Sequence, residues 1–239
     1  MPSPSSRFDL THAASPWSEF RRTKFYDLLA GLPLIVWFGY SVYHQLGPIG
    51  SEFEQAQASG FDAVEVISLL GKVASVAFVA MVFVLTIIRC APKARAAGLL
   101  PRISALLGMN LGLAIALLPP QPIGFELSVL SLLLLLCGLA FSVYAMLHLG
   151  RSFSVMAEAR RLVMDGPYAK IRHPLYLGEQ VAMLGMTLQF LSAYALLILG
   201  LQLAFQIIRM RNEELVLSGI FPEYSDYKTR TARLIPGLY

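Results

Sequence analysis

Two stretches of the chain concentrate the side chains able to do chemistry. The first, Leu149 to Glu179, contains Asp165-Gly166-Pro167-Tyr168 and Arg172-His173-Pro174-Leu175-Tyr176, and the second, Arg209 to Tyr239, opens with Arg209, Glu213 and Glu214. Arg209 and Glu213 are four residues apart and share one face of a helix. An exposed pair of this kind adds only about 0.2–0.5 kcal/mol. At the cytoplasmic rim of an apolar helix the same pair can grip the charged end of a ligand whose oily part stays in lipid. Pro174 suits the first position of a helix, which makes His173 the N-cap and leaves unpaired N–H groups facing outward, a ready site for an anionic group. His173 also reads as a plain capping residue, Tyr168 and Tyr176 as interfacial aromatics, and Arg172 as a topological anchor. Asp165 to Tyr168 is turn chemistry that can fold the backbone back towards the membrane. The tail, with Phe221, Tyr224, Tyr227, Arg230 and Arg233, could cover a site or lie on anionic lipid.

The elements that must position these residues are apolar helices. Of the 239 residues, 56% are hydrophobic and 14% charged, and the mean hydropathy is +0.62, outside the range of soluble domains. Apolar blocks near the roughly 20 residues that cross a bilayer predict an all-α, polytopic transmembrane bundle of six spans: Phe25 to Leu46, Val64 to Ile88, Ile103 to Leu118, Leu127 to Leu149, Leu175 to Leu191 and Ala193 to Ile208. The last two, separated by Ser192, are expected to form a tight hairpin. The first is too long for a signal-peptide core and is expected to be retained.

Eighteen of the nineteen Lys and Arg residues fall in alternate segments: Arg7, Arg21, Arg22 and Lys24; Arg89 to Arg102; Arg151 to Arg172; and Arg209 to Arg233. The intervening loops carry only acids. The positive-inside rule therefore puts both termini and the two chemical stretches in the cytoplasm. The expected organisation is an N-terminal segment, 1–24, four helices within 25–148, and a catalytic region, 149–239. The remaining cation, Lys72, lies inside the second span, with Glu65 as its expected partner. Cys90 and Cys137 lack metal-ligand or disulfide spacing and read as packing residues. The basic residues form no aromatic-interleaved face for nucleic acid.

As an ordered set, the residues of the C-terminal half resemble the isoprenylcysteine carboxyl methyltransferase family. The resemblance covers about Leu149 to Pro236. It rests on Leu162-Val163, Gly166-Pro167-Tyr168, Arg172-His173-Pro174-Leu175-Tyr176-Leu177-Gly178, an apolar hairpin, Arg209, Glu213-Glu214, Phe221, Tyr224, Tyr227 and Ile235-Pro236. The segment from Phe221 to Tyr224 is one residue shorter than the family pattern. The resemblance implies an integral membrane enzyme using S-adenosylmethionine, with Leu162, Val163, Tyr168, His173, Pro174, Tyr176 and Glu213 binding the cofactor and no metal. Arg209 and Glu213 would be catalytic, with Arg209 facing a lipophilic acceptor that enters from the bilayer. An isoprenylcysteine carboxylate is the acceptor so implied, and a phospholipid amine is the alternative. A carboxylate acceptor would be oriented by Arg209; an amine would need a base, for which Glu214 or His173 are available. Two other classes fit less of the pattern: an NADPH-dependent steroid-reductase-like membrane enzyme, and a non-enzymatic scaffold or transporter.

Overall fold

The computed structural model describes residues 19–20 and 23–237. Arg7, Arg21 and Arg22 lie outside the described residues, as does most of the expected N-terminal segment. Helix α1, Lys24–Ser59, starts at Thr23, whose Oγ1 accepts from Tyr26 N at 3.1 Å, and ends at Gly60 in the left-handed region, φ 85°. It runs well past Leu46, because Pro33 and Pro48 are absorbed within the helix. Helix α2, Ala63–Ile88, returns beside it. The longer α1 changes the pairing of Lys72: its ammonium bonds Glu52, on the added turns of α1, while Glu65 accepts from Ser59 Oγ at 2.5 Å.

Helix α3, Leu100–Ala116, follows a two-residue strand β1, Ala94–Arg95. Helix α4, Phe125–Leu149, leads through a 3-10 turn, Gly150–Ser152, to strand β2, Glu158–Ala159, which pairs antiparallel with β1. A second 3-10 turn, Gly166–Ala169, precedes helix α5, Pro174–Gln189. Helix α6, Ala193–Ile220, is capped by Ser192 Oγ, and a short α7, Tyr224–Arg230, completes the chain.

The structure is an all-α bundle with almost no sheet, and it confirms a multi-pass membrane protein. Among the described residues, four helices are long and apolar enough to cross a bilayer: α1, most of α2, α4 with its 3-10 extension, and α6. The six expected blocks are all helical, but α3 has 17 residues and α5 has 16, about 24–26 Å at 1.5 Å per residue. Helix α6, with 28 residues, is about 42 Å long and exceeds a hydrocarbon core of roughly 30 Å. Leucines along α1, α4 and α6 face outward, as lipid contact requires. Cys137 is exposed as well, which corrects its expected packing role; Cys90 is half-buried.

The expected hairpin is opened. Helix α5 packs chiefly along α4 and α6 chiefly along α3, and the two meet each other less extensively. The α4–α5 seam is built from small residues, as helices in lipid favour. A Cβ on Gly178 would lie 2.8 Å from Gly138 O, and one on Gly185 would lie 2.6 Å from Ser131 O. Ser131 Oγ instead donates to Gly185 O at 2.8 Å. This close seam fixes the start of α5, where His173 and Tyr176 sit.

Candidate active site

A cleft of about 700 Å³, open solvent included, lies where the loop after α4, the start of α5 and the end of α6 meet. One wall comes from Ser152 to Val163 and from Tyr168; the other comes from His173, Tyr176, Glu213, Leu217, Tyr224 and Tyr227. Six residues singled out from sequence line it: Leu162, Val163, Tyr168, His173, Tyr176 and Glu213. Pro174 lies at the first position of α5, buried, and does not line the cavity. Arg209 does not line it either. It sits one helical turn from Glu213 and is 3% exposed.

His173 occupies the N-cap position, but its side chain caps nothing. The ring instead stacks on Tyr176, with centroids 5.4 Å apart and planes 18° from parallel. Its Nε2 is 3.2 Å from Glu214 Oε1 and its Nδ1 is 3.9 Å from Glu213 Oε2. The Tyr176 hydroxyl donates to Glu213 Oε1, and the Arg209 guanidinium carbon lies 4.7 Å from the Tyr176 ring centroid. Arg209 Nε is 3.5 Å from Glu213 Oε1, close enough to pair by charge but without a well-formed hydrogen bond among the described residues. Arg209 is thus buried and Glu213 half-buried, unlike the exposed i,i+4 pair that spacing alone allowed.

Glu213 and its neighbour Glu214 have different surroundings. Glu214 receives Arg172 Nε at 2.9 Å, Arg233 Nε at 3.0 Å and Arg233 Nη2 at 2.9 Å. Arg172 Nη1 also donates to Lys228 O at 2.9 Å and to Thr231 O. Backbone bonds from Arg172 N to Ala232 O and from His173 N to Arg233 O lay the tail beside the start of α5. Glu214 therefore ties α6, α5 and the tail together, and is fully occupied by that task.

The aromatic edge is held by Tyr227, whose hydroxyl donates to Tyr168 O at 2.7 Å. Burial raises the Tyr227 phenol to about 12, so at neutral pH it keeps the proton it donates. Burial, with Glu213 nearby, also holds the Tyr168 phenol well above its ordinary value. The Tyr168 hydroxyl is buried and has no hydrogen-bond partner among the described residues. An orphaned neutral donor on a cavity wall is what a bound polar ligand would satisfy.

Two groups of residues were not marked by sequence reasoning. On the membrane side of Glu213, Glu179 accepts from Gln206 Nε2 at 2.8 Å, Gln180 bonds Gln202 and Gln206, and Gln202 donates to Gly108 O at 3.1 Å. Glu179 interacts electrostatically with both Arg209 and Glu213. The signal was present as polar residues 202, 206, 209 and 213 recurring at helical spacing through an apolar block.

The second group centres on Asp27, fully buried in the first turn of α1. Its carboxylate takes Arg89 Nε at 3.0 Å, Arg95 Nη2 at 3.3 Å, and Arg160 Nη1 and Nη2 at 3.1 and 2.9 Å. Glu158 joins through Arg95 Nε at 3.0 Å and Arg160 Nη2 at 2.5 Å. From sequence these arginines marked only membrane orientation.

Fold and site together define a multi-pass membrane protein with a polar, aromatic-edged cavity at one end of its helices. Residues 127–224 match the phospholipid methyltransferase family. That stretch runs from α4 to the start of α7 and carries most of both cavity walls, and the match agrees with the methyltransferase class of the motif resemblance. The chain is also similar to the nickel-cobalt-cadmium resistance protein NccN of Alcaligenes xylosoxydans xylosoxydans, 35% identical over 83 residues, 34% of this chain and 38% of that protein. The cobalt-zinc-cadmium resistance protein CzcN of Cupriavidus metallidurans is 35% identical over 79 residues, 32% of this chain and 36% of that protein. The chain thus aligns with little more than a third of the length of these curated relatives.

Proposed function

We propose that this chain is an S-adenosylmethionine-dependent methyltransferase whose acceptor is the amine of a lipophilic, phospholipid-like molecule. The family match over the cavity-forming region supports methyl transfer. The observation that carries the choice of acceptor is that Arg209 interacts with two carboxylates, Glu213 at 3.5 Å and Glu179 electrostatically. With both acids ionised those three groups sum to one negative charge, which attracts an ammonium and repels a carboxylate. The carboxylate-orienting role that the motif resemblance assigns to Arg209 would need a guanidinium free of such partners.

The cavity suits the methyl donor in its lining, where the orphaned Tyr168 hydroxyl offers an unused donor. Leu162 and Val163 would flank the nucleoside, with Tyr168, His173, Tyr176 and Glu213 around it and Pro174 fixing the helix start behind. When bound, S-adenosylmethionine supplies an electrophilic methyl group on a sulfonium.

The work of the protein is alignment and exclusion of water. The aromatic edge of Tyr168, Tyr224 and Tyr227 excludes solvent. Tyr176 donates to Glu213 Oε1 and so orients that carboxylate, while Arg209 braces both from the membrane side. Glu213 lines the cavity and is the group placed to take the proton that an amine must lose. Glu214, saturated by Arg172 and Arg233, is not. The cavity faces the cytoplasm in this reading, and the acceptor arrives from the bilayer past Glu179.

The second reading, carboxyl O-methylation of an isoprenylcysteine, keeps the motif order in its favour. Incubation with methyl-labelled S-adenosylmethionine and either phosphatidylethanolamine vesicles or a prenylcysteine analogue separates the two. An alkali-stable N-methyl lipid is the expected product. An alkali-labile methyl ester formed on the prenylcysteine, with no labelled lipid, would assign the other chemistry.

A further inference from the structure

We propose that Arg160 and Glu158 form the subsite for the amino-acid end of the methyl donor, an α-ammonium beside an α-carboxylate, and that Asp27 holds this subsite in shape from the first helix. The inference rests on the cofactor reading above and adds a place for one end of that ligand.

Arg160 and Glu158 both line the cavity, on the wall supplied by the loop after α4. Arg160 is 2% exposed. Its Nη1 and Nη2 are taken by Asp27, Glu158 and Cys90 O, yet its Nε is buried with no hydrogen-bond partner among the described residues. A buried guanidinium N–H with no acceptor is costly unless something supplies one.

The charge of the cluster points the same way. Arg89, Arg95 and Arg160 carry three positive charges against the two of Asp27 and Glu158, leaving one positive charge at a largely buried position. The exposed Arg161 adds another at the cavity wall. The missing partner is an anion, and a carboxylate oxygen can accept from the one N–H left over, at Arg160 Nε. Glu158 Oε1 accepts from Arg95 and Oε2 from Ser154 Oγ at 2.7 Å as well as from Arg160. A carboxylate has about four acceptor positions, so one remains for an ammonium. Adjacent acid and base side chains on one cavity wall match a zwitterion whose opposite charges stand on one carbon.

Asp27 makes the arrangement possible without touching the ligand. It is joined to Arg160 across 133 positions of sequence and fixes the guanidinium plane through two of its nitrogens. Gly31, one turn along α1, leaves room for Arg89, since a Cβ there would meet Arg89 Nη2 at 2.7 Å.

The test is calorimetric and needs no turnover. Purified full-length protein is titrated with S-adenosylhomocysteine and with 5′-methylthioadenosine, which keeps the nucleoside and lacks the amino-acid chain. Wild type should prefer the first by about 30-fold or more, as one or two charge-assisted hydrogen bonds imply. Arg160→Lys and Glu158→Gln should each cut that preference to below about 5-fold while leaving methylthioadenosine affinity within about 3-fold of wild type. An unchanged preference in both variants would overturn the subsite. Loss of both ligands in both variants would overturn it equally, because the cluster would then act only on the fold. Wild-type protein that binds neither ligand would sink the cofactor reading itself, whereas equal wild-type affinity for the two would sink only the subsite.

Discussion

Asp27 and Glu214 are both buried acids gripped by cations, whereas Glu213, one residue away from Glu214, shares a single guanidinium with a second acid, Glu179. The first two have Arg89, Arg95 and Arg160, or Arg172 and Arg233, around one carboxylate. They are knots that join distant segments, and the charge of each carboxylate is spent on its own cations. Around Arg209 the balance is reversed, with two carboxylates for one cation. That surplus is available to a ligand. Burial and ion pairing alone therefore do not mark the reactive carboxylate; the ratio of acids to cations around it does.

This contrast is broken most severely at Asp27. Asp27→Ala would leave two buried guanidiniums and the half-buried Arg95 without their shared acid and should cost about 3–5 kcal/mol of stability, read as a lowered thermal midpoint in detergent. If Asp27→Ala unfolds within a degree of wild type, Asp27 is no knot. Glu213→Gln should do the opposite. Turnover should fall about 100-fold or more, as loss of a proton acceptor implies, while the thermal midpoint barely moves. A Glu213→Gln protein with half of wild-type turnover would show that the acid surplus around Arg209 is not used.

Packing offers a smaller perturbation. Gly178→Val forces a branched side chain against Gly138 O and Ser142 in the α4–α5 seam, at a cost of about 1–3 kcal/mol. It should lower activity by displacing His173 and Tyr176, and Gly200→Val, where nothing lies near the added Cβ, is its control. Smallest of all, Tyr227→Phe removes one hydrogen bond to Tyr168 O, worth about 1 kcal/mol. A KM for the methyl donor raised a few-fold, with kcat little changed, would sharpen the assignment of this edge to binding.

The two knots also differ in how far sequence revealed them. Glu214 sits in an ordered motif, and its partners Arg172 and His173 belong to the same recognisable set. Asp27 sits inside an apolar block, and its partners lie 62, 68 and 133 positions away. Counting arginines assigned them to one side of the membrane without showing that they converge.

The six apolar blocks were legible because helical length and hydropathy are local properties. Helix ends were less so. Gly47-Pro48 read as a loop, yet α1 passes through both, and Ser51 Oγ bonds the Pro48 carbonyl within it. The opening of the α5–α6 hairpin was hidden as well, because the small-residue seam that holds α5 on α4 depends on Gly138 meeting Gly178 forty residues later. Pro174 at the start of α5 was readable, since the constraint on proline is local. The stacking of His173 on Tyr176, in place of side-chain capping, depends on Glu213 and Glu214 from another helix and was not.

The central claim is that the cavity between the post-α4 loop and the end of α6 holds a sulfonium methyl donor. Calorimetric titration of the purified protein with S-adenosylhomocysteine and, separately, with NADPH tests it most directly. The account predicts saturable binding of S-adenosylhomocysteine at one site per chain and no heat with NADPH; binding of NADPH alone, or of neither, would contradict it.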